Sequence, residues 1–94
     1  MLVLPAELTH AQALTCLDML RQSLKGLAGD TVVVDAEPLK RFDTSALAVL
    51  LECRRDCLYS GRVFRVRGLG QRLRELAELY GIAELLESET PAVA

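Results

Sequence analysis

Three oxygen-bearing side chains stand in a row at Asp43, Thr44 and Ser45, between the apolar run TVVVD at 31–35 and the apolar run ALAVLL at 46–51. A helix start needs only one of them, because a single side-chain oxygen satisfies an orphan N–H of the first turn. Asp43 or Thr44 suits that cap. The surplus hydroxyl, on Thr44 or Ser45, then faces outward at the positive end of a helix, just past the carboxyl end of a buried strand. Open α/β sheets meet ligands and partners at that edge. Leu47 and Ala48 would pack around a partner docked there, and Lys40 and Arg41 would steer an acidic surface at its rim. From the residues alone, capping and recognition both remain open.

Catalysis fits this stretch poorly. A nucleophilic serine needs a base within reach, and the single histidine, His10, belongs to the start of a different helix. The chain has no G-x-S-x-G turn, no glycine-rich phosphate loop with a lysine and no H-x-x-H pair. A non-enzymatic role without cofactor is therefore expected. Three cysteines, Cys16, Cys53 and Cys57, form no CxxC pair, and the last two lie one helical turn apart. They read as small core residues, with no metal site expected.

Charge is uneven along the chain. Residues 40–74 hold nine basic side chains (Lys40, Arg41, Arg54, Arg55, Arg62, Arg65, Arg67, Arg72 and Arg74) against three acids (Asp43, Glu52 and Asp56), whereas the whole chain carries a net charge of -2. Such a patch suits phosphates or an acidic protein. It lacks the interleaved aromatics of a single-strand binder and the signals of a groove reader, so nucleic acid is not expected as a partner.

Alternating apolar elements must hold the polar stretch in place. Leu2 to Leu4 reads as a short strand closed by Pro5. Thr9 and Gln12 have capping-box spacing ahead of a helix over about 10–25, with Leu14, Leu17, Leu20 or Arg21, and Leu24 recurring along it and Gly26 and Gly29 ending it. TVVVD is the pattern of a central strand covered on at least one face. After the loop AEPLKRF, residues 43–59 form a second helix, with Leu47, Leu50, Leu51 and Leu58 on one side, widened by Ala46, Val49, Cys53 and Cys57. RVFRVR gives a third strand, and Gly68 and Gly70 turn the chain into a third helix. There Leu69, Leu73, Leu76, Ala77 and Tyr80 make an amphipathic stripe. Strand, helix, strand, helix, strand, helix predicts a layered α/β domain over 1–94, with 87–94 a loose tail.

With 51% hydrophobic residues, 4% aromatic and no Trp, the core must be packed by Leu, Val and Ala. The longest apolar run, Ala46 to Leu51, is far short of the ~20 residues that cross a bilayer, and the first residues show no basic region ahead of an apolar one. A cytoplasmic location is expected.

The order of a buried strand ending in Asp35, a short loop, and then Asp43, Thr44, Ser45, Ala46 and Leu47 opening an amphipathic helix resembles the STAS domain family, whose mark is D-[ST]-[SAG]-[GA]-L. The likeness covers about residues 2–87. PAELT is similar to the family's early G-E-L-[TD] segment, with Ala6 where glycine is usual. The resemblance implies a STAS-like α/β fold, a small mixed sheet with helices packed on one face, and a protein-interaction role. Leu73, Leu76, Ala77, Leu79, Tyr80 and Ile82 resemble the closing L-x-x-L-A-x-L-Y-x-[IL] of the STAS subunits of bacterial phospholipid ABC transporters. Those subunits bind the system's ATPase at the inner face of the inner membrane and support outer-membrane lipid asymmetry. Thr44 then falls at the ATPase contact. The alternative within the family is an anti-sigma factor antagonist with an anti-sigma factor kinase as partner. In that reading Ser45 is the phosphorylated residue, with Thr44 a second candidate; self-association of the isolated chain stays open.

Overall fold

Side-chain parity along the strands shows which way the sheet faces. The computed structural model describes residues 1–86, and the tail expected over 87–94 lies outside them. Strands β1 (Leu2–Val3), β3 (Thr31–Asp35) and β5 (Val63–Arg67) form one sheet in the order β1-β3-β5, and β2 (Glu7–Leu8) pairs with β4 (Arg41–Phe42) in a second. The small mixed sheet expected from the sequence is resolved as these two units, and every strand pair in them is parallel. Leu2, Val32, Val34, Phe64 and Val66 are buried on one face, while Val3, Thr31, Val63 and Arg67 alternate with them and are exposed. Helices α1 (Ala13–Gly26), α2 (Thr44–Tyr59) and α3 (Gln71–Leu79), followed by a 3-10 turn at Ala83–Leu85, share a single core cluster with the inward-facing residues.

That core is aliphatic, as the composition requires. Leu4, Leu8, Leu50, Leu73 and Leu86 are fully enclosed with Val32, Val34, Val66, Cys53 and Cys57. Burial of each leucine side chain contributes about 1.5–3 kcal/mol. All three thiols are buried, and desolvation pushes Cys53 up to about 12, so it packs as an apolar group.

Several sequence expectations are corrected by the packing. Helix α1 begins at Ala13, not near His10, because Thr9 to Gln12 form a turn of their own. Gln12 Oε1 accepts from both the Thr9 N–H (2.8 Å) and the Thr9 hydroxyl (2.7 Å), which is half of a capping box, displaced ahead of the helix. With the start moved, Leu14 is 83% exposed, and Ala13, Cys16, Leu17, Leu20 and Leu24 make the inner face. Leu58 and Tyr80, expected on apolar stripes, also face out. Strands β2 and β4, inside segments read as turn and loop, pair two residues each, too short a pattern to show alternation. Ala6 stands where the family favours glycine, and it is not in the left-handed region: among the described residues only glycines have a positive φ.

Arg62 ties the far end of the helical layer together. Its guanidinium donates to the carbonyls of Leu24 (3.0 Å), which also accepts from the Leu27 N–H, and Leu27 (2.8 Å), just past the end of α1. Arg21 bridges α1 to Asp56 (2.6 Å) and Glu52 (3.3 Å) on α2, a surface pairing that contributes little.

Two glycines read as one turn signal play different parts. Gly68 has φ +69, and a Cβ there would lie 2.9 Å from Glu37 Cβ and 3.0 Å from Glu37 N, whereas nothing lies within 4 Å of a Cβ on Gly70. Gly68 lets the β5–α3 turn close onto the loop leaving β3. Gly68→Ala is expected to lower stability by about 1–3 kcal/mol in urea denaturation, with Gly70→Ala near neutral. Equal effects at the two positions would remove the close approach as the reason for Gly68.

Candidate functional site

Parallel pairing brings the starts of α1, α2 and α3 to one edge, the carboxyl end of the strands. Three helix N-termini there present partial positive charge. The loop that enters α2 is held by the opening segment of the chain. Ala6 O accepts from the N–H groups of Lys40 (2.8 Å) and Arg41 (3.0 Å), and the Arg41 guanidinium pairs with Glu7 at 3.2 Å.

Asp43 is the cap of α2. One carboxylate oxygen accepts from the Ser45 N–H at 2.8 Å and the other from the His10 N–H at 3.1 Å, so it closes the helix start and fastens the turn before α1 to it. The His10 and Ser45 N–H groups hold its carboxyl below the usual carboxylate range, and the Ser45 hydroxyl adds to this. His10 reaches the site through its backbone. With Asp43 so occupied, Thr44 is exposed at the first helical position, and its hydroxyl has no hydrogen-bond partner among the described residues. Ser45 is half-buried.

The structure therefore brings Lys40, Arg41, Asp43, Thr44, Ser45 and Ala48 to one surface, with Lys40, Arg41, Asp43, Thr44 and Ala48 exposed. Leu47 departs from the expectation. At 3% exposure it turns inward into the core, about 100° round the helix from the exposed Ala48, so it offers almost no contact area. Arg72, from α3, joins the surface unforeseen, its guanidinium 5.7 Å from the Phe42 ring centre. Thirty residues of chain separate the two, and no local pattern links them.

The basic excess of residues 40–74 divides among several places. Lys40, Arg41 and Arg72 belong to the mouth of α2, and Arg54 and Arg55 to its flank. Arg62 is spent on backbone carbonyls, and Arg65 and Arg67 belong to the outer face of the sheet. Among the described residues no group of His, Cys, Asp and Glu could hold a metal ion, and no helix is long and apolar enough to cross a membrane.

Asp43 supplies a pH test. Its folded-state pKa is depressed, so its stabilisation is present above the ordinary carboxylate value of about 3.9 and is lost as pH falls through the lower folded value. Asp43→Ala is expected to lower Tm by about 5 °C at pH 7, and the gap from the natural chain to shrink below about pH 4. A gap independent of pH would assign the loss to something other than the ionised cap.

A small parallel α/β layer with an exposed polar knob at a helix mouth defines a protein-interaction module. The family model described as "Mlab, STAS domain" matches residues 1–87, and the chain belongs to this STAS family. Among solved structures the chain is similar to a sulfate transporter family protein from Wolinella succinogenes. The two share 16% identity at a TM-score of 0.65, over 90% of this chain and 70% of that one, a likeness of fold. No curated protein matches the sequence.

Proposed function

We propose that this protein is the accessory STAS subunit of a phospholipid-transporting ABC system, acting without catalysis by binding the ATPase on its cytoplasmic side. In this reading it supports a transporter that maintains outer-membrane lipid asymmetry. The observation that carries it is the match of the "Mlab, STAS domain" model over residues 1–87. The location of the contact is supported by Thr44, which is exposed and has no internal partner while Asp43 alone does the capping. A pedestal of β3 and α2 holds that hydroxyl in fixed geometry, so little ordering cost accompanies docking. Lys40, Arg41 and Arg72 around it favour an acidic surface on the ATPase.

The rival reading, an anti-sigma factor antagonist switched by phosphate on Ser45, meets an electrostatic obstacle. A phosphate there would stand beside the Asp43 carboxylate, whose oxygen lies 2.8 Å from the Ser45 N–H. The helix start favours the phosphate, but the neighbouring charge opposes it.

Co-expression of the tagged chain with the ATPase and permease genes of its own genome tests the proposal. The expected result is a stoichiometric complex that survives gel filtration. Recovery of an anti-sigma kinase with phosphate on Ser45, and no ATPase, would reverse the choice between the two readings.

A further inference from the structure

Arg72 stands where the helix dipole disfavours it. It is the second residue of α3, whose first turn carries no acid, so its charge meets the positive end of the helix uncompensated. Among the described residues it makes neither an ion pair nor a hydrogen bond, and Glu75, three residues further on, accepts from the Gln71 amide (3.4 Å) instead. What holds Arg72 is the ring of Phe42, 5.7 Å from guanidinium carbon to ring centre. Phe42 is itself anchored, because it packs against the core and belongs to β4, which pairs with β2. It also lies two residues before Thr44, so the ring that holds the arginine is fastened to the mouth of α2.

We propose that Arg72 is a specificity-determining residue of the ATPase contact, a fork that receives one Asp or Glu carboxylate of that partner, and that Phe42 is its positioning residue. This rests on the reading of the Asp43 to Ser45 edge as the ATPase contact. A ring attracts the cation but leaves its fork of N–H donors in need of an oxygen, and that fork matches a carboxylate bidentately. Held on the ring, the long side chain loses little rotamer freedom when it pairs. Charge selects the occupant. Arg41 is already engaged by Glu7 at 3.2 Å, whereas Lys40 and Arg72 have no acid among the described residues, and three helix starts add partial positive charge at the same edge. An acidic group gains from all of these, and a basic one is repelled.

The test measures binding of the purified ATPase to variants of the full chain. Arg72→Gln is expected to weaken binding at least about tenfold, with Arg72→Lys recovering only part of the loss. Phe42→Leu should weaken it by about threefold to fivefold and Phe42→Tyr by less than about twofold, since the tyrosine keeps the ring. Added to Arg72→Gln, Phe42→Leu should cost nothing further, because the ring acts through the arginine. A loss from Phe42→Leu that persists without Arg72 makes the ring merely structural and overturns its positioning role. Natural binding by Arg72→Gln, with Thr44→Glu still abolishing the complex, overturns the proposal and leaves the ATPase reading standing; no binding by the natural chain ends both. Phosphatidylglycerol vesicles that bind the natural chain and release Arg72→Gln, with ATPase binding unchanged, would give the fork to a lipid phosphate and overturn the proposal too. The free chain supplies a separate check. Arg72 side-chain protons should show an upfield ring-current shift in its proton spectrum that Phe42→Leu removes, and absence of that shift also overturns the positioning role.

Discussion

Thr44→Glu is expected to weaken binding of the ABC ATPase by at least about 100-fold while moving the Tm of the isolated chain by no more than about 2 °C. The two outcomes separate because Thr44 and Asp43 divide the labour at the helix mouth. Asp43 satisfies the first-turn N–H and the turn at His10, so the fold loses no hydrogen bond when Thr44 is replaced. A carboxylate in the first turn of a helix is also favoured by the helix dipole. On the partner side, the same substitution adds bulk and a negative charge at a contact that Lys40, Arg41 and Arg72 prepare for an acidic surface. Thr44→Ser, which keeps a hydroxyl, should retain most of the affinity. Retained ATPase binding by the glutamate variant, or its unfolding, would remove Thr44 from the contact or return it to a structural role.

Leu50→Ala should cost about 2–5 kcal/mol, a large part of the 5–15 kcal/mol that holds a small domain together, and lower Tm by about 10–20 °C. Leu50 is 0% exposed on the inner face of α2, within the close-packed core cluster, so its truncation leaves a cavity. Leu58→Ala, on the same helix but 49% exposed, should change stability by less than about 0.5 kcal/mol. Paired urea titrations of the two variants decide the point. Comparable losses would mean that Leu58 packs against something in solution, such as a second copy.

The contrast between Leu50 and Leu58 shows what periodicity could and could not convey. Spacing along residues 43–59 marks a wide apolar stripe, and both leucines lie on it. Near the end of α2 the core takes Cys57, which is fully buried, and leaves Leu58 beside it half exposed. Tyr80, just past the end of α3, is likewise exposed, whereas Leu14 lies within α1 but off the inner face that Ala13, Cys16, Leu17, Leu20 and Leu24 make. The cap at Asp43 and an outward hydroxyl were both legible because their cause is local: one helix start needs one acceptor, and the stretch offers three. Which side chain did which was not, since the second bond to Asp43 comes from His10, 33 residues away.

Chain-local physics determined the alternation of elements, the aliphatic core, the family likeness and the place of the polar knob. Apolar period, turn residues and capping groups act within a few positions of one another, and those are properties a sequence displays. Tertiary structure alone decided that Leu47 turns inward, that Arg72 reaches Phe42, that β2 and β4 pair and that Leu14 and Leu58 stay exposed. Each of those follows from which surfaces meet across long separations in the chain, and burial and charge pairing are set only once they do.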